Sequence, residues 1–397
     1  MTSAEYFTYQ FYIWEYRGRG WYLSDEPVQL EPPYIPFVRH FQQSPVDDGR
    51  RPTLLSRLAD SVKGKTKPSD QTNFLLDYEN LEPYPFEDNS DLTAFQIKLP
   101  KKRNITLERM KVLMIMLSFN ESPVSFEIIG TAKEIIIQFV CRKRHSRLVS
   151  INIKAYFPEI TFIQDDTFLV DIFKSDTPIY LTDFGLKEEF VRPLPIAKSF
   201  NLDSLTSFFG VLENLNEDEQ AGLQILFSGV MNSWSESIIN SVTLGNGKSF
   251  FEDAPESTDL AYQKTNSPLF AVCIRAFAQA NAISESQELL RNISIPLLKA
   301  TEGSSNSLVV LNSEKYDAET RIEDIYLRQS HRLGMLLNAD ELVTLLHFPS
   351  ESIVSNKLYS SRRKTKETPA IALNKPFVFG KNIHNGVEDS VTLNIDD

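Results

Sequence analysis

The chain has 397 residues, of which 42% are hydrophobic and 24% charged, and its formal net charge at pH 7 is −12. That length accommodates two or three domains with their own cores, and the composition is that of a globular rather than a disordered protein. The negative net charge excludes a protein that coats nucleic acid with its whole surface, but it leaves room for a local basic patch.

Cysteine use and hydropathy predict a cytoplasmic protein. Cys141 and Cys273 are the only cysteines, and each lies inside an apolar run with no second ligand at metal-binding spacing. We therefore predict buried free thiols, as in a reducing compartment. The N-terminus lacks the basic and apolar regions of a signal peptide, and every apolar run is shorter than the ~20 residues of a membrane-spanning helix. No transmembrane segment is expected.

Residues 1–91 are predicted to form an aromatic, proline-rich extended strap followed by a linker. An aromatic run at 6–14 precedes a proline-rich stretch at 30–37, whose prolines favour an extended path. Aromatic side chains at this density require burial against the rest of the chain or a neighbouring subunit. The candidate subunit or domain packing residues are Tyr12, Trp14, Trp21, Tyr34 and Phe37.

From residue 92 onward the sequence predicts an α+β fold with two tandem ferredoxin-like α/β sandwich units, at 92–195 and 196–350. The first unit has the strand–helix–strand–strand–helix–strand order of the ferredoxin-like fold. Thr106 is predicted to cap its first helix. Its elements are a strand at 93–99, a helix at 107–117, strands at 124–130 and 134–141, a helix at 147–156, and a closing strand at 160–163 or 169–173.

The second unit repeats this pattern less regularly. Its predicted elements are a helix at 202–212 capped by Asn201 or Asp203, a strand at 221–227, a helix at 234–241, a strand at 269–277, a helix from Ser284 to residue 298, and a strand at 308–311. A helical stretch over 337–348 is predicted to end the unit. Residues 351–397 are predicted to form a basic connector followed by a pair of strands.

The segment 245–249, with the sequence GNGKS, resembles the end of a phosphate-binding loop. The full pattern requires glycine at position 242, where this chain has Val242, and it requires a buried strand before the loop, where a helix is predicted. We therefore interpret the glycines as a turn and Lys248 as a solvated charge. An enzyme that hydrolyses ATP through Lys248 is accordingly the least supported function.

Basic side chains cluster at 101–103, 142–147 and 362–366. Clustered Lys and Arg bind phosphates by releasing counterions, but they also occur as solvated turns between elements. The first two clusters lie at strand–helix junctions, where a turn is the favoured interpretation. The third lies in the connector and supplies the candidate DNA contacts Arg362, Arg363, Lys364 and Lys366.

The sequence assigns no catalytic, cofactor-binding or metal-binding residue. The five histidines include no pair at the i, i+4 spacing of a zinc site, and no nucleophile elbow is present. The carboxylates are dispersed, so no hydrolytic pair can be selected.

Several short segments, in their order along the chain, resemble one family of motor proteins. Residues 9–21, 28–37, 124–130, 155–158 and 219–227 are similar to the N-terminal regions of bacterial ATPases of type IV secretion and conjugative DNA transfer.

The end of the chain resembles the entry to the motor domain of HerA–FtsK-type ATPases, especially the type IV secretion coupling proteins. In that family a helix ending in a His-x-Pro-like turn precedes a G-x-N…V-x-L strand pair, and the phosphate-binding loop follows. Here the turn is His347-Phe348-Pro349, and the strand pair contains residues 380–382 and 391–393. The chain therefore resembles the N-terminal region of such an ATPase, ending before the Walker A motif.

The resemblance implies a hexameric, ring-forming ATPase that translocates DNA, with α/β N-terminal domains stacked on the motor ring. The phosphate-loop lysine, the acidic magnesium ligand and the arginine finger would lie beyond Asp397, so ATP and Mg²⁺ are expected only if a motor domain follows. The implied partners are further copies or a motor subunit, DNA, and a nuclease, relaxase or other effector, in conjugation, a mobile element or phage defence. The alternative is a stand-alone ferredoxin-like adaptor that binds protein or DNA without ATPase activity.

Overall fold

The computed structural model describes residues 3–37, 82–100, 104–165, 177, 179–196, 203–244, 247–251, 254–312, 314–358, 360–361, 367–384 and 387–394. The helices are α1 Ser3–Tyr16, α2 Leu107–Leu117, α3 Ser146–Tyr156, α4 Thr206–Glu213, α5 Trp234–Val242, α6 Glu256–Lys264, α7 Ile283–Ala300, α8 Ala318–Leu327 and α9 Ala339–Leu345. The strands are β1 Leu92–Pro100, β2 Val124–Gly130, β3 Ile135–Arg142, β4 Thr161–Asp165, β5 Tyr180–Leu186, β6 Gln220–Gly229, β7 Leu269–Gln279, β8 Leu308–Val310, β9 Met335–Asn338, β10 Ser360–Ser361, β11 Phe377–His384 and β12 Val387–Leu393.

The first half of the body runs β1-α2-β2-β3-α3-β4 in chain order. Its strands lie in the spatial order β4-β1-β3-β2, and each neighbouring pair is antiparallel. Thr106 caps α2 as predicted, its hydroxyl oxygen accepting from the Arg109 backbone N–H at 3.2 Å. The closing strand is β4, close to the first of the two predicted positions, whereas residues 169–173 lie outside the described part of the chain.

The second half repeats the same relative order. It runs β5-α4-β6-β7-α7-β8, with α5 and α6 inserted between β6 and β7, and its strands lie in the order β8-β5-β7-β6, all antiparallel. Strand β5 was not predicted, and its pairing with β7 and β8 places residues 180–186 in the second half, although the sequence division put them in the first. Asp183 and Gly185, both depleted in strands, weaken its local signal.

The two halves share one sheet and one hydrophobic core. Strands β2 and β6 pair antiparallel, with Glu127 opposite Gln224, so the sheet continues across both halves as ten strands. The largest cluster of buried apolar side chains likewise extends from Phe95 in the first half to Phe270 in the second. The fold is therefore α+β and predominantly antiparallel.

The N-terminal segment corrects one prediction. Residues 3–16 form the helix α1, and the extended part of the segment lies between residues 19 and 37, with isolated bridges from Arg19 to Met335 and from Leu23 to Arg332. No glycine or proline interrupts the sequence before Gly18, and the buried residues Gln10 and Trp14 are four apart, so a helix can bury both on one face.

Three predicted helix starts also differ. Helix α4 begins at Thr206 without a side-chain cap, and Asp203 instead accepts from the His347 ring nitrogen Nε2 at 3.0 Å. Helix α7 begins one residue before Ser284. The helix predicted over 337–348 is strand β9 followed by α9, because Asn338 caps α9 through the Glu341 N–H and a capping residue has an extended backbone.

Candidate functional site

Four of the five predicted packing residues contact other elements of their own chain, whereas Tyr12 contacts Tyr16 within α1, 6.1 Å between ring centroids. Trp14 lies 5.1 Å from Phe37 and 6.1 Å from Trp234 between ring centroids, and its indole N–H donates to the Ile35 carbonyl at 3.1 Å. Tyr34 packs edge-on against Trp234 at 5.2 Å. The α1 helix and the strap are therefore fastened to α5 within one chain.

Trp21 and Tyr12 lie outside that cluster. The Trp21 indole N–H donates to the Leu186 carbonyl at 2.8 Å, and the Arg19 guanidinium lies 4.2 Å from its ring centroid. Tyr12 lies on the outer face of α1 and is 57% exposed. The strap also carries Glu31, which the sequence analysis did not single out and whose carboxylate accepts from the Trp234 indole at 2.9 Å.

The described residues around Lys248 have the hydrogen bonds of a turn. Gly247 has φ = +78°, the Leu244 N–H donates to the Lys248 carbonyl at 2.7 Å, and Thr243 bridges to Ser249. This turn follows helix α5, whereas a phosphate-binding loop follows a strand. Within the described ranges no group of three or more His, Cys, Asp or Glu side chains could hold a metal ion, and no helix could cross a membrane.

A row of polar residues crosses the middle of the sheet. Six residues on neighbouring strands are direct Cα partners in register, and five of them are buried. We call this set the polar row: Gln96, Gln138, Glu127, Gln224, Arg275 and Asp183. Each of these residues is polar in an otherwise largely apolar strand, which is a signal that sequence inspection could have used.

Glu127 is the centre of the polar row. Its carboxylate accepts from the Arg328 guanidinium at 3.0 and 3.2 Å, from the Gln138 amide at 2.6 Å and from the Gln224 amide at 3.0 Å. The Arg328 charge and these hydrogen bonds hold the pKa of Glu127 below its usual range despite complete burial. Arg328 has φ = +50°, the left-handed conformation of a helix C-cap, and its backbone N–H donates to the Asp324 carbonyl of α8.

The other end of the polar row is also ionic. The Asp183 carboxylate forms ion pairs with the guanidinium of Arg321 at 3.0 Å and with that of Arg275 at 3.5 Å. Asp324 pairs with the His331 ring at 3.0 Å and accepts the Tyr316 hydroxyl. These contacts fasten α8 and the segment 328–332 to the sheet face opposite α2 and α7. Their burial fits a rigid support rather than an open reactive centre.

A second buried ionic node lies beside α1. The Lys264 ammonium contacts both oxygens of Glu341, at 2.9 and 2.8 Å, and both side chains are fully buried. Glu341 also accepts from the backbone N–H groups of Leu194 and Asn338, at 2.7 and 2.6 Å. Desolvation lowers the pKa of Lys264, while the Glu341 charge opposes that shift. The node joins α6, α9 and the loop after β5.

Glu15 supplies a test by pH. Burial raises the pKa of Glu15 from 4.5 to about 8, although the Arg19 guanidinium, 3.8 Å away, acts to lower it. Because the folded pKa exceeds the unfolded one, the stability from neutral Glu15 is complete below pH 4.5 and is lost as the pH rises to about 8. We expect Glu15→Gln to be more stable than wild type by about 4 kcal/mol at pH 8, and nearly equal at pH 4.5. Thermal denaturation across this range checks it; a pH-independent difference would contradict the assignment.

The β11–β12 hairpin forms its own two-stranded sheet, separate from the ten strands of the body. It is tied to the preceding segment by hydrogen bonds from Asn382 to Thr368 and from Thr392 to the Ala372 carbonyl. Its apolar side chains are exposed: Phe377 by 54%, Val378 by 65% and Phe379 by 79%. The predicted strand pair is present, and its apolar surface has no cover within the described residues.

The candidate DNA contacts Arg362, Arg363, Lys364 and Lys366 lie outside the described residues, so their role stays a prediction. Strand β10, immediately before them, pairs in parallel with the end of β1, and Ser361 is the Cα partner of Pro100. The basic runs 101–103 and 362–366 therefore both follow this single pair in sequence.

Comparisons with known proteins identify no family. No protein-family model matches the chain, and no curated protein matches it. Solved structures similar to parts of it include two variants of berberine bridge enzyme, one described as a reticuline dehydrogenase and the other in complex with (S)-reticuline. They are 13% and 12% identical, with TM-scores of 0.25, covering 54% and 53% of this chain and 41% of theirs.

A third is xylooligosaccharide oxidase from Myceliophthora thermophila C1 in complex with xylobiose. It is 11% identical with a TM-score of 0.29, covering 71% of this chain and 58% of that one. This chain thus spans less than two thirds of each protein. Similarities this weak carry no argument about fold or function, so function is argued from the residues themselves.

Proposed function

We propose that this chain is the assembly and recruitment region of a DNA-translocating ATPase of the HerA–FtsK type, acting in conjugative transfer, in a mobile element or in phage defence. Its halves are interpreted as two ferredoxin-like units joined edge to edge. The support is that each half has the βαββαβ order and the same antiparallel strand order, β4-β1-β3-β2 and β8-β5-β7-β6. The polar row crosses their junction and makes the pair a rigid platform.

The observation that carries the proposal is the exposed β11–β12 hairpin. A two-stranded hairpin is marginally stable alone in water and becomes stable when it packs against another element. Phe377 and Phe379, each more than half exposed, provide the apolar surface for that packing. The proposed cover is the core of the motor, which would supply the ATP and Mg²⁺ sites.

DNA handling is proposed for the connector. Arg362, Arg363, Lys364 and Lys366 would contact phosphates, and the pairing of Pro100 with Ser361 supports this because two basic runs follow it. An effector such as a nuclease or relaxase would bind the platform formed by the two halves.

The test measures binding of the chain to a purified HerA–FtsK-type motor core encoded by the same genome. We expect the wild-type chain to bind and Phe377→Ser/Phe379→Ser to bind at least about tenfold more weakly, because aromatic anchors dominate interface energies. Val354→Ser, at a residue 90% exposed outside the hairpin, is the matched control and should bind as wild type.

Absence of binding by the wild-type chain would remove the ATPase proposal. If the chain nevertheless bound duplex DNA in a salt-dependent manner, the stand-alone adaptor would become the better function. Equal binding by the hairpin variant would show that the hairpin is not the contact.

A further inference from the structure

Charge is distributed unequally between the two halves of the body. The described residues of 92–165 contain nine Lys and Arg against six Asp and Glu, whereas those of 180–310 contain seven against fourteen. One half is therefore basic and the other strongly acidic, although they have the same strand order. Such polarity favours contact between unlike halves of two molecules.

The basic half presents a helix with an apolar centre. On α3 the side chains of Leu148 and Ile151 are 41% and 51% exposed, and Arg147 and Lys154 lie beside them on the exposed face. We call Arg147, Leu148, Ile151 and Lys154 the α3 stripe. Two neighbouring apolar side chains flanked by cations fit a partner that offers both an apolar floor and an acidic rim.

The acidic half contains such a partner surface. A groove of about 710 Å³ lies between α4 and α7, which we call the α4–α7 groove. Val211, Leu289 and Pro296 are among its apolar lining residues. A Cβ atom built on Gly210, which also lines the groove, would meet nothing within 4 Å, so the space above α4 is open.

Two acceptors lie at this floor. Glu219 is the charged residue among those that line the groove. Pro296 lacks a backbone N–H, so the carbonyl of Asn292, four residues earlier, loses its usual helical donor at the groove. Arg291 is a cation of α7, so the acidic character comes from Glu219 at the groove and from the acidic half as a whole rather than from every residue of this helix.

We propose that the α3 stripe of one copy of this chain binds in the α4–α7 groove of a second copy. The two surfaces lie in opposite halves, so each copy offers one of each, and the contact is a repeating head-to-tail interface. Leu148 and Ile151 favour this occupant over a polyanion, because a phosphate backbone offers nothing apolar to cover them. The inference rests on the assembly part of the proposed function and needs neither DNA nor a motor.

The test uses sedimentation velocity of the full chain over a concentration series at low and high salt. We expect wild type to self-associate, and more weakly at high salt because the rim contacts are ionic. Leu148→Asp/Ile151→Asp and Gly210→Phe should each weaken association by more than about tenfold. Both sites are exposed or open, so circular dichroism and the melting temperature should remain near wild type.

Mixing these two variants gives the decisive result. Each retains one intact surface, so an equimolar mixture should form a 1:1 dimer and nothing larger. Gly210→Ala is the control, since it leaves the groove open and should assemble as wild type.

A monomeric wild type, unchanged assembly in both variants, or no dimer in the mixture would each overturn the proposal. If the wild-type chain bound a duplex DNA probe and only Leu148→Asp/Ile151→Asp lost that binding, the α3 stripe would be a nucleic-acid contact instead. Hairpin binding to the motor core is measured separately, so either proposal can fail without the other.

Discussion

Lys264→Met is expected to lower the free energy of unfolding by about 3–5 kcal/mol, because it leaves the carboxylate of Glu341 buried without its counter-ion. Glu341 also accepts hydrogen bonds from two backbone N–H groups, which reduce the loss of stability but supply no positive charge. Guanidinium denaturation followed by tryptophan fluorescence measures the change, with Trp14 and Trp234 as buried probes.

Two variants complete the Lys264 experiment. Lys299→Met removes the exposed pair with Glu302 and should leave stability close to wild type. The double variant Lys264→Met/Glu341→Gln should recover part of the loss, since no unpaired charge remains. A single variant within about 1 kcal/mol of wild type would mean that the buried pair is not ionised.

Glu127→Gln is also expected to lower the free energy of unfolding by about 3–5 kcal/mol, here because the anion of a buried ion pair is removed rather than the cation. The substitution leaves the Arg328 guanidinium buried without its counter-charge. It also places an amide N–H₂ opposite Arg328 and Gln138, whose N–H groups donate to the carboxylate in the wild type. Because Arg328 is the C-cap of α8 and its side chain is fixed by this ion pair, the turn after α8 should also loosen. Hydrogen exchange of residues 326–332 then increases along with the loss in denaturant stability.

The matched control for Glu127 is Glu121→Gln, a carboxylate with an 81% exposed side chain, which should be neutral within about 0.5 kcal/mol. If Glu127→Gln lost stability but left exchange at 326–332 unchanged, the polar row would stabilise the sheet without fastening α8. That outcome would contradict its role as the support of both halves.

The first half of the body was predictable because its signals are local. The Thr106 cap, the apolar face of α2 and the strand at 124–130 each depend on neighbours a few residues away, and the structure has them within one or two residues of the predicted bounds. The second half was less predictable, because β5 is weakly marked by its own residues. It is a strand through its pairing with β7, about 90 residues further along the chain.

The candidate surfaces divide in the same way. The density of aromatic residues in the N-terminal segment indicated that they are buried, but only the structure showed that Trp14 and Tyr34 make their contacts within the same chain. The exposed hairpin was predicted as a strand pair, whereas its lack of cover within the described residues is a property of the surroundings.

The sequence by itself determined the α+β class, the order of most elements and the absence of a complete phosphate-binding pattern, since these depend on residue type and short-range spacing. The tertiary structure decided the joining of two halves through β2 and β6, the polar row, and the separation of a basic from an acidic half. Glu127 and Arg328 are 201 residues apart in sequence, and no local pattern relates them. Their pairing follows from strand register and burial, which are properties of the folded chain.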